Sequence, residues 1–345
     1  MSSKEQWHND GSLSTIADNG MWKEFFASKK GSYAAGKQRY CRRLLDDRES
    51  LDVIRDISTG EHVFSIPKKK LVGKPNSYKK RAIYTFDESE TMALRLVAYN
   101  MQSYDHLFSR NLFSFRSGYG MTEAMAALRR SIGIGGMYGY KMDIHDYFNT
   151  IDTDILLDDL DKVLEDRPLY NMYRNLLSGD EVLFEGEIIR EKRGVMAGIP
   201  VAPFLSNFYL REMDAHFSNE DCFYFRYADD ILLMAKTEED ADRLHDDLLA
   251  FIEGKGLTIN PDKDRHFVPG DVIEFLGCTI VQKGQTVIVE TNYKPPAPSK
   301  KPKGASAHKR KPSQKGTNRK RKRVCGHRKK KMKRRAMLEA QQKSE

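Results

Sequence analysis

At 345 residues, 39% apolar and 31% charged, the chain can bury one large core or two ordinary ones, which excludes a protein disordered throughout. No stretch approaches the roughly 18 uninterrupted apolar residues of a spanning helix, and the opening MSSKEQWHND lacks the apolar centre of a secretory leader, so no membrane partner and a cytoplasmic location are expected. The formal net charge of +9 is unevenly placed: residues 294–345 hold 21 Lys and Arg against 2 Glu, a balance of +19, which leaves −10 for residues 1–293. An acidic body with a cationic tail points to a polyanion met by the tail and to body carboxylates available for cations. Cys41, Cys222, Cys278 and Cys325 stand singly, without the CxxC spacing of a zinc site or a disulfide framework.

Residues 1–62 read as an N-terminal helical extension. Its first 20 residues are polar, and Trp22 to Ile57 carries the spacing of one or two amphipathic helices broken at KKGSYAAG. From Val63 to Thr85, β-favouring runs flank a loop rich in Lys, Gly, Pro and Asn, and end in Arg81-Ala82-Ile83-Tyr84; this predicts a hairpin with a basic lip. Asp87 and Glu90 have the spacing of a capping box, ahead of Ala93, Leu96, Val97, Met101, Tyr104 and Phe108 at helical intervals. In GYKMDIHDYFNTID an apolar strand runs into a helix start and leaves Asp143 near the strand's end. A hairpin is predicted over Val182–Glu191 turning at Glu185-Gly186, and a helix over Pro203–Phe217. FYFRYADDILLMA reads as two β-runs joined by a tight turn, followed by a helix over Glu238–Glu253 closed by Gly254 or Gly256. The last expected element is a hairpin from Phe275 to Val289 over Lys283-Gly284. This order implies an α+β architecture with helices packed on antiparallel sheet. After Thr291 the pattern stops: PPAPSKKPKGASAHKRKPSQKG is low in complexity, and RKKKMKRRAMLEAQQKS suits a segment that turns helical on a partner.

An Asp-Asp pair in a turn between apolar runs is costly, because like charges are held together at the edge of a core. Turn chemistry alone accounts for many surface Asp pairs. Here Tyr224, Tyr227, Ile231, Leu232, Leu233 and Met234 make a core hairpin, so the tip rests on rigid strands. With Asp143 at the end of another apolar strand, Asp143, Asp229 and Asp230 can converge on two divalent cations about 3.5–4 Å apart, an arrangement suited to phosphoryl transfer.

These residues resemble the reverse transcriptases. Tyr227-Ala228-Asp229-Asp230 is similar to the family's YxDD box, and Asp143-Ile144 with Tyr147-Phe148 to its first palm motif. The resemblance implies metal ligation by Asp143, the main chain of Ile144, Asp229 and Asp230, with two Mg²⁺ as cofactor and Mn²⁺ as the alternative. It also implies that Phe148 is an aromatic gate that clashes with a ribose 2′-hydroxyl and so selects dNTPs; core packing is the other reading of that ring. Gly194 to Leu210 resembles the family's GxPQGxPxSPxLxNxxL motif and matches it at Gly198, Pro200, Pro203, Leu205, Asn207 and Leu210. Ala197 stands where Gln is usual and Ala202 where Ser is usual, which puts fidelity, affinity or the manner of templating in question. Lys74-Pro75 through Arg81-Ala82-Ile83 is similar to the fingers motif, so the implied nucleotide-binding set is Lys74, Arg81, Phe148, Ala197 and Gly198. Ser114-Phe115-Arg116-Ser117-Gly118 resembles the GFRPG-like segment. Leu257 to Lys263 is similar to the motif with a lysine near the pyrophosphate, making Lys263 either a general acid or an ordinary solvated lysine. Phe275-Leu276-Gly277 is similar to the primer grip. The likeness spans about residues 64–285.

The fold implied is a right-hand polymerase: residues 63–140 as fingers and start of the palm, 141–290 as palm with the primer-grip hairpin (151–190 partly fingers), and 291–345 as a basic low-complexity tail, with the thumb reduced or missing. The activity implied is RNA-directed DNA synthesis from dNTPs on a structured or noncoding RNA template, yielding a DNA product. A stand-alone bacterial enzyme, of the antiphage-defence or unclassified groups, is expected, with a nuclear location only in a eukaryotic host. The tail, through Lys309, Arg310, Arg319, Lys320, Arg321, Lys322 and Arg323, is expected to bind RNA phosphates and partly replace the thumb; a solvated tail or an import signal are the alternatives. Untemplated or short repetitive DNA synthesis, and a catalytically silent RNA-binding scaffold, stay open beside the leading reading. An oligomer or a partner subunit that supplies the thumb is compatible with all three.

Overall fold

The computed structural model describes residues 11–73, 80–130, 136–283 and 286–291, without the side chains of 283, 286, 287 and 291. The chain divides into the units Met1–Tyr293 and Lys294–Glu345. Lys74, Pro75, Gly284 and the tail residues Lys309, Arg310 and Arg319 to Arg323 lie outside the described residues.

A 3₁₀ turn, Leu13–Ala17, precedes three helices: α1 (Asn19–Ser28), α2 (Ala35–Asp46) and α3 (Arg48–Ser58). Asp18 and Asp47 cap α1 and α3 through side-chain oxygens, which explains where these helices start. The polar start of the chain hides an anchor. Leu13 and Ile16 are fully buried, the Leu13 amide donates to Asp166, and Asn100 donates to the Ser12 carbonyl.

β1 (Lys68–Gly73) and β2 (Lys80–Thr85) pair antiparallel, as the hairpin reading expects. α4 (Glu88–Asn100) follows and buries Met92, Ala93, Leu94, Leu96 and Val97. The capping box does not form. Asp87 instead takes the Lys68 ammonium, and Glu90 is buried against the Ser65 amide and hydroxyl and the His62 ring. These tertiary donors hold both carboxylates away from the helix end. The helical spacing beyond Asn100 continues only as the 3₁₀ turn Met101–Leu107, and α5 (Met121–Arg130) lies further on.

β3 (Tyr138–Asp143) leads through the short α6 (Tyr147–Thr150) to α7 (Thr153–Val163) and α8 (Arg167–Leu177). β4 (Glu181–Phe184) and β5 (Glu187–Arg190) turn at Glu185 and Gly186, both left-handed as a two-residue hairpin turn requires. One bridge between Lys68 and Leu183 joins the two hairpins into a sheet ordered β2-β1-β4-β5. The helix expected over Pro203–Phe217 is in fact two, α9 (Ala202–Tyr209) and α10 (Arg211–Asn219), because Leu210 leaves the helical basin at φ −108° and ψ 16°.

β6 (Phe223–Tyr227), β7 (Asp230–Ala235), β3 and β8 (Arg265–Phe267) form an antiparallel sheet in the order β6-β7-β3-β8, with α11 (Glu238–Gly254) packed on β3 and β7. The final hairpin is one strand richer than expected. β9 (Val272–Phe275) turns at Leu276-Gly277 into β10 (Cys278–Lys283), which pairs with β11 (Thr286–Thr291).

Strand β7 is apolar from Ile231 to Ala235 because both of its faces are covered. Ile231, Leu233 and Ala235 face the main core of helices, while Leu232 and Met234 face a second core made with α5 and the β9–β11 sheet. Among the described residues, no helix is long and apolar enough to cross a membrane.

The Glu90 network makes a pH-dependent contribution. The bond to Glu90 raises the His62 pKa against the opposing effect of burial, with Asp56 on the other ring nitrogen adding to it. Burial pushes the Glu90 carboxyl up, but the His62 and Ser65 hydrogen bonds outweigh it and lower its pKa. The His62 share of stability is therefore complete below its unfolded pKa of about 6.5 and fades as pH rises through the higher folded value. The Glu90 share is complete above about 4.3 and fades as pH falls through the lower folded value. Glu90→Gln is expected to cost about 1–3 kcal/mol near pH 5.5 and less at pH 8.5. Urea unfolding at the two pH values measures this, and an equal cost at both would refute the charged pair.

Candidate active site

The β3–β7 register sets Asp143 directly opposite Asp230, so the two side chains share one face of the sheet. Asp229 occupies the two-residue turn between β6 and β7, and its carbonyl accepts the Ile144 amide at 3.0 Å, which ties that turn to the end of β3. The structure thus brings three of the expected acids together. Burial, and then the neighbouring Asp229 charge, push the Asp230 carboxyl up to about 6; Lys141 opposes the shift and Asp143 adds to it. The Lys263 ammonium sits 2.5 Å from Asp143 Oδ2. Burial lowers its pKa, but the bond to Asp143 and the charges of Asp143, Asp230 and Asp229 raise it overall. Lys263 thus pairs with Asp143, and the Asp230 and Asp229 charges add to what keeps it protonated.

Among the described residues, no group of three or more His, Cys, Asp or Glu stands at the spacing of a formed metal site. The donor chemistry nonetheless fits hard divalent cations: crowded carboxylate oxygens beside the Ile144 main chain, with a negative charge that draws in a lysine. Lys263 is itself stitched to this end of the sheet. Asn260 N donates to the Asp143 carbonyl at 2.8 Å, His145 N donates to Thr258 O at 2.9 Å, and Ile144 bridges to Ile259.

The turn is strained and heavily supported. Ala228 is left-handed at φ 57°, a conformation that costs a non-glycine residue about 1–2 kcal/mol. Its amide donates to Ser114 Oγ at 2.9 Å and its carbonyl accepts from Arg226 Nη1 at 3.2 Å. Arg226 is fully buried and grips Asp214 through Nε at 2.7 Å and Nη2 at 2.5 Å, while Tyr224 donates to the same carboxylate at 2.7 Å. Burial would lower the Arg226 pKa, but Asp214 holds it above its ordinary value. Asn207 completes the brace: its amide donates to Ser114 O, its Oδ1 accepts from Ser114 Oγ, and its carbonyl accepts from Arg226. The sequence reading missed Arg226 and Asp214, and named Ser114 only as part of the GFRPG-like segment. The available signal was an arginine inside the apolar run FYFRY, which demands a buried acid.

Phe148 is half-buried, edge-on to Tyr147 and Phe115 at 5.9 and 6.0 Å between ring centroids. Its carbonyl accepts from Val195, and a Cβ on Gly194 would meet that carbonyl at 2.3 Å. Ala197 O accepts from Tyr84 N at 2.8 Å, and left-handed Gly198 packs on Ile83 and Tyr84. The glycine-rich loop thus bonds α6 to β2, which carries an exposed Arg81. Phe275 is buried in the second core, so only Leu276 and Gly277 of the expected primer grip reach its surface.

A family model described as "Reverse transcriptase (RNA-dependent DNA polymerase)" matches residues 66–280, a span that holds every strand and loop of this site. The chain belongs to the reverse transcriptase family. Among solved structures, apo telomerase from Candida tropicalis truncated from its C-terminal domain is similar, with a TM-score of 0.50 and 14% identity over 66% of this chain and 55% of that one. Apo telomerase from the same yeast gives a TM-score of 0.51 and 12% identity over 67% and 48%. At such identities the likeness is one of fold, a polymerase palm beneath helices, and this chain spans about half the length of those structures. No curated protein matches it. In this reverse transcriptase the palm sheet is β6-β7-β3-β8, and the expected α+β polymerase fold is borne out.

Arg226→Met is expected to cost about 3–5 kcal/mol by leaving Asp214 buried and unpaired. Arg226→Met with Asp214→Leu should recover much of that stability but not nucleotide incorporation, because Ala228 O still lacks its donor. Thermal melts beside incorporation assays test this, and full activity in the double variant would refute the brace.

Proposed function

We propose that this chain is an RNA-directed DNA polymerase that extends a primer 3′-hydroxyl with deoxynucleotides, using Asp143, Asp229 and Asp230. The observation that carries the reading is the β3–β7 register, which sets Asp143 opposite Asp230 beside the Asp229 turn, with the Lys263 ammonium on Asp143. Two Mg²⁺, or Mn²⁺, held by these acids and the Ile144 main chain would lower the pKa of the primer hydroxyl and offset charge on the phosphates. Lys263, released from Asp143, supplies a proton to the leaving pyrophosphate. Arg81, and Lys74 with it, offsets triphosphate charge, and Leu276-Gly277 supports the primer end. Phe148 places an aromatic edge beside the sugar and excludes a 2′-hydroxyl. Ala197 and Gly198 form the loop wall against which the new base pair rests.

Asp229→Asn should abolish incorporation of labelled dNTP while melting like the parent protein, and Phe148→Val should raise ribonucleotide use relative to dNTP use. Normal extension by Asp229→Asn would sink the mechanism.

We further propose an RNA template, with the tail residues Lys309, Arg310 and Arg319 to Arg323 binding its phosphates, since the +19 balance lies there while the rest of the chain is acidic. Removing residues 295–345 is expected to weaken RNA binding and flatten its dependence on salt. Filter binding across a salt series measures both, and an unchanged slope would exclude a phosphate-binding tail.

A further inference from the structure

Phe115 stands out in the site because a large apolar ring is left exposed there on strained backbone. Its ring is 51% exposed, and its backbone is left-handed at φ 58°, where a bulky L-residue is strained. The flanking residues impose this posture. Ser114 is fully buried in the brace beneath Ala228. Arg116 grips Asp105 through Nε at 2.7 Å and Nη2 at 2.9 Å, donates to the carbonyls of Ser109 and Leu112, and stacks over Tyr119 at 3.9 Å. An apolar ring is thus held outward by two polar anchors.

What it faces is specific. On one side the ring lies edge-on to Phe148 at 6.0 Å and tilted to Tyr227 at 6.4 Å, the gate and the first residue of the YADD box. On the other it lines a cleft of about 440 Å³, walled by Phe108, Phe204 and Pro200 and edged by Gln102, Ser117, the paired Asp105 and Arg116 and, just past the end of α1, Lys29. That combination of apolar walls, polar edges and one lysine suits a single nucleotide: a base among the rings and a phosphate at the ammonium.

We propose, building on the polymerase reading, that Phe115 is a wedge in the template strand. Its ring carries the base being copied, and the next template base turns out of the stack into the cleft behind it. Stacking on an aromatic face tolerates all four bases, which a residue serving every template position requires.

The test uses the full chain on an RNA template with 2-aminopurine at the first or third base beyond the one being copied. Wild type should brighten the probe at the first position, where the base leaves its neighbours, and not at the third. Phe115→Ala and Phe115→Leu should lose that signal and raise the dNTP KM by a larger factor than they lower kcat, while Phe115→Tyr keeps both. Gln102→Trp, which fills the cleft from an exposed rim, should also remove the signal. A Phe115→Leu enzyme indistinguishable from wild type would overturn the wedge, since Leu fills space without an aromatic face; so would a first-position signal that survives Gln102→Trp. Extension by wild type is scored in the same reactions. Synthesis with an unchanged Phe115→Leu signal defeats the wedge alone, whereas absence of synthesis defeats the polymerase reading and the wedge with it.

Discussion

The fold is organised around the repulsion between carboxylates that its sheet forces together. Two like charges 4 Å apart repel by about 4 kcal/mol at an effective dielectric of about 20, and the interior makes this worse. Register leaves Asp143 and Asp230 no choice of separation, because each is fixed by a ladder of five residue pairs running from Tyr138 with Ala235 to Met142 with Ile231. The molecule answers in two ways visible at rest. Burial and the Asp229 charge push the Asp230 carboxyl up to about 6, and Lys263 brings a positive charge onto Asp143. Both responses mark a place where cationic charge is wanted.

Such repulsion can be held only by a support that does not yield. The sheet carrying the acids is covered on both faces, so neither β3 nor β7 can peel away without exposing a core. The turn between β6 and β7 needs more, since Ala228 is strained and Asp229 is charged. Arg226 and Asp214 provide it from beneath. A fully buried ion pair rarely gains stability over apolar residues of the same volume, because desolvating both charges offsets their attraction. Its value here is directional: the guanidinium fork spends two donors on Asp214 and keeps others for the carbonyls of Ala228 and Asn207. The stability given up at the strained turn is recovered as fixed geometry.

Much of this was legible in the sequence because the signals were local. The Asp-Asp tip between apolar runs, the Asp143 strand end, the Glu185-Gly186 turn and the helix closed near Gly256 all follow from spacing and turn chemistry, and all fall where expected. What failed depended on distant partners. Asp87 and Glu90 have the spacing of a capping box, yet Lys68, Ser65 and His62 claim them. Leu13 and Ile16 look like strays in a polar leader until the α3 and α4 surfaces meet them. The break at Leu210 is invisible in a run of good helix formers; it shows only once α10 is turned so that Asp214 lies under Arg226. Phe275 reads as part of a turn motif, but it ends β9, a strand too short to register as a β-run, and that makes it core.

The sequence boxes also turn out to be structural joints as much as chemical ones, which explains why they could be read together. The segment Leu257 to Lys263 is bonded by backbone to Asp143 and His145, so the lysine and the acid it neutralises form one unit although 120 residues apart. The glycine-rich loop does the same between Phe148 and Tyr84, joining α6 to β2. Ser114 joins the segment bearing Phe115 to the YADD turn. A change of side chain at Ala197, where the loop bonds through its main-chain carbonyl and amide, leaves these joints intact. Glycine at 194 and 198 has no such latitude, because both are left-handed and a Cβ at 194 would meet the Phe148 carbonyl at 2.3 Å, while one at 198 would press on Ile83 and Tyr84. The departure at Ala197 therefore changes a side chain without altering how the site is built.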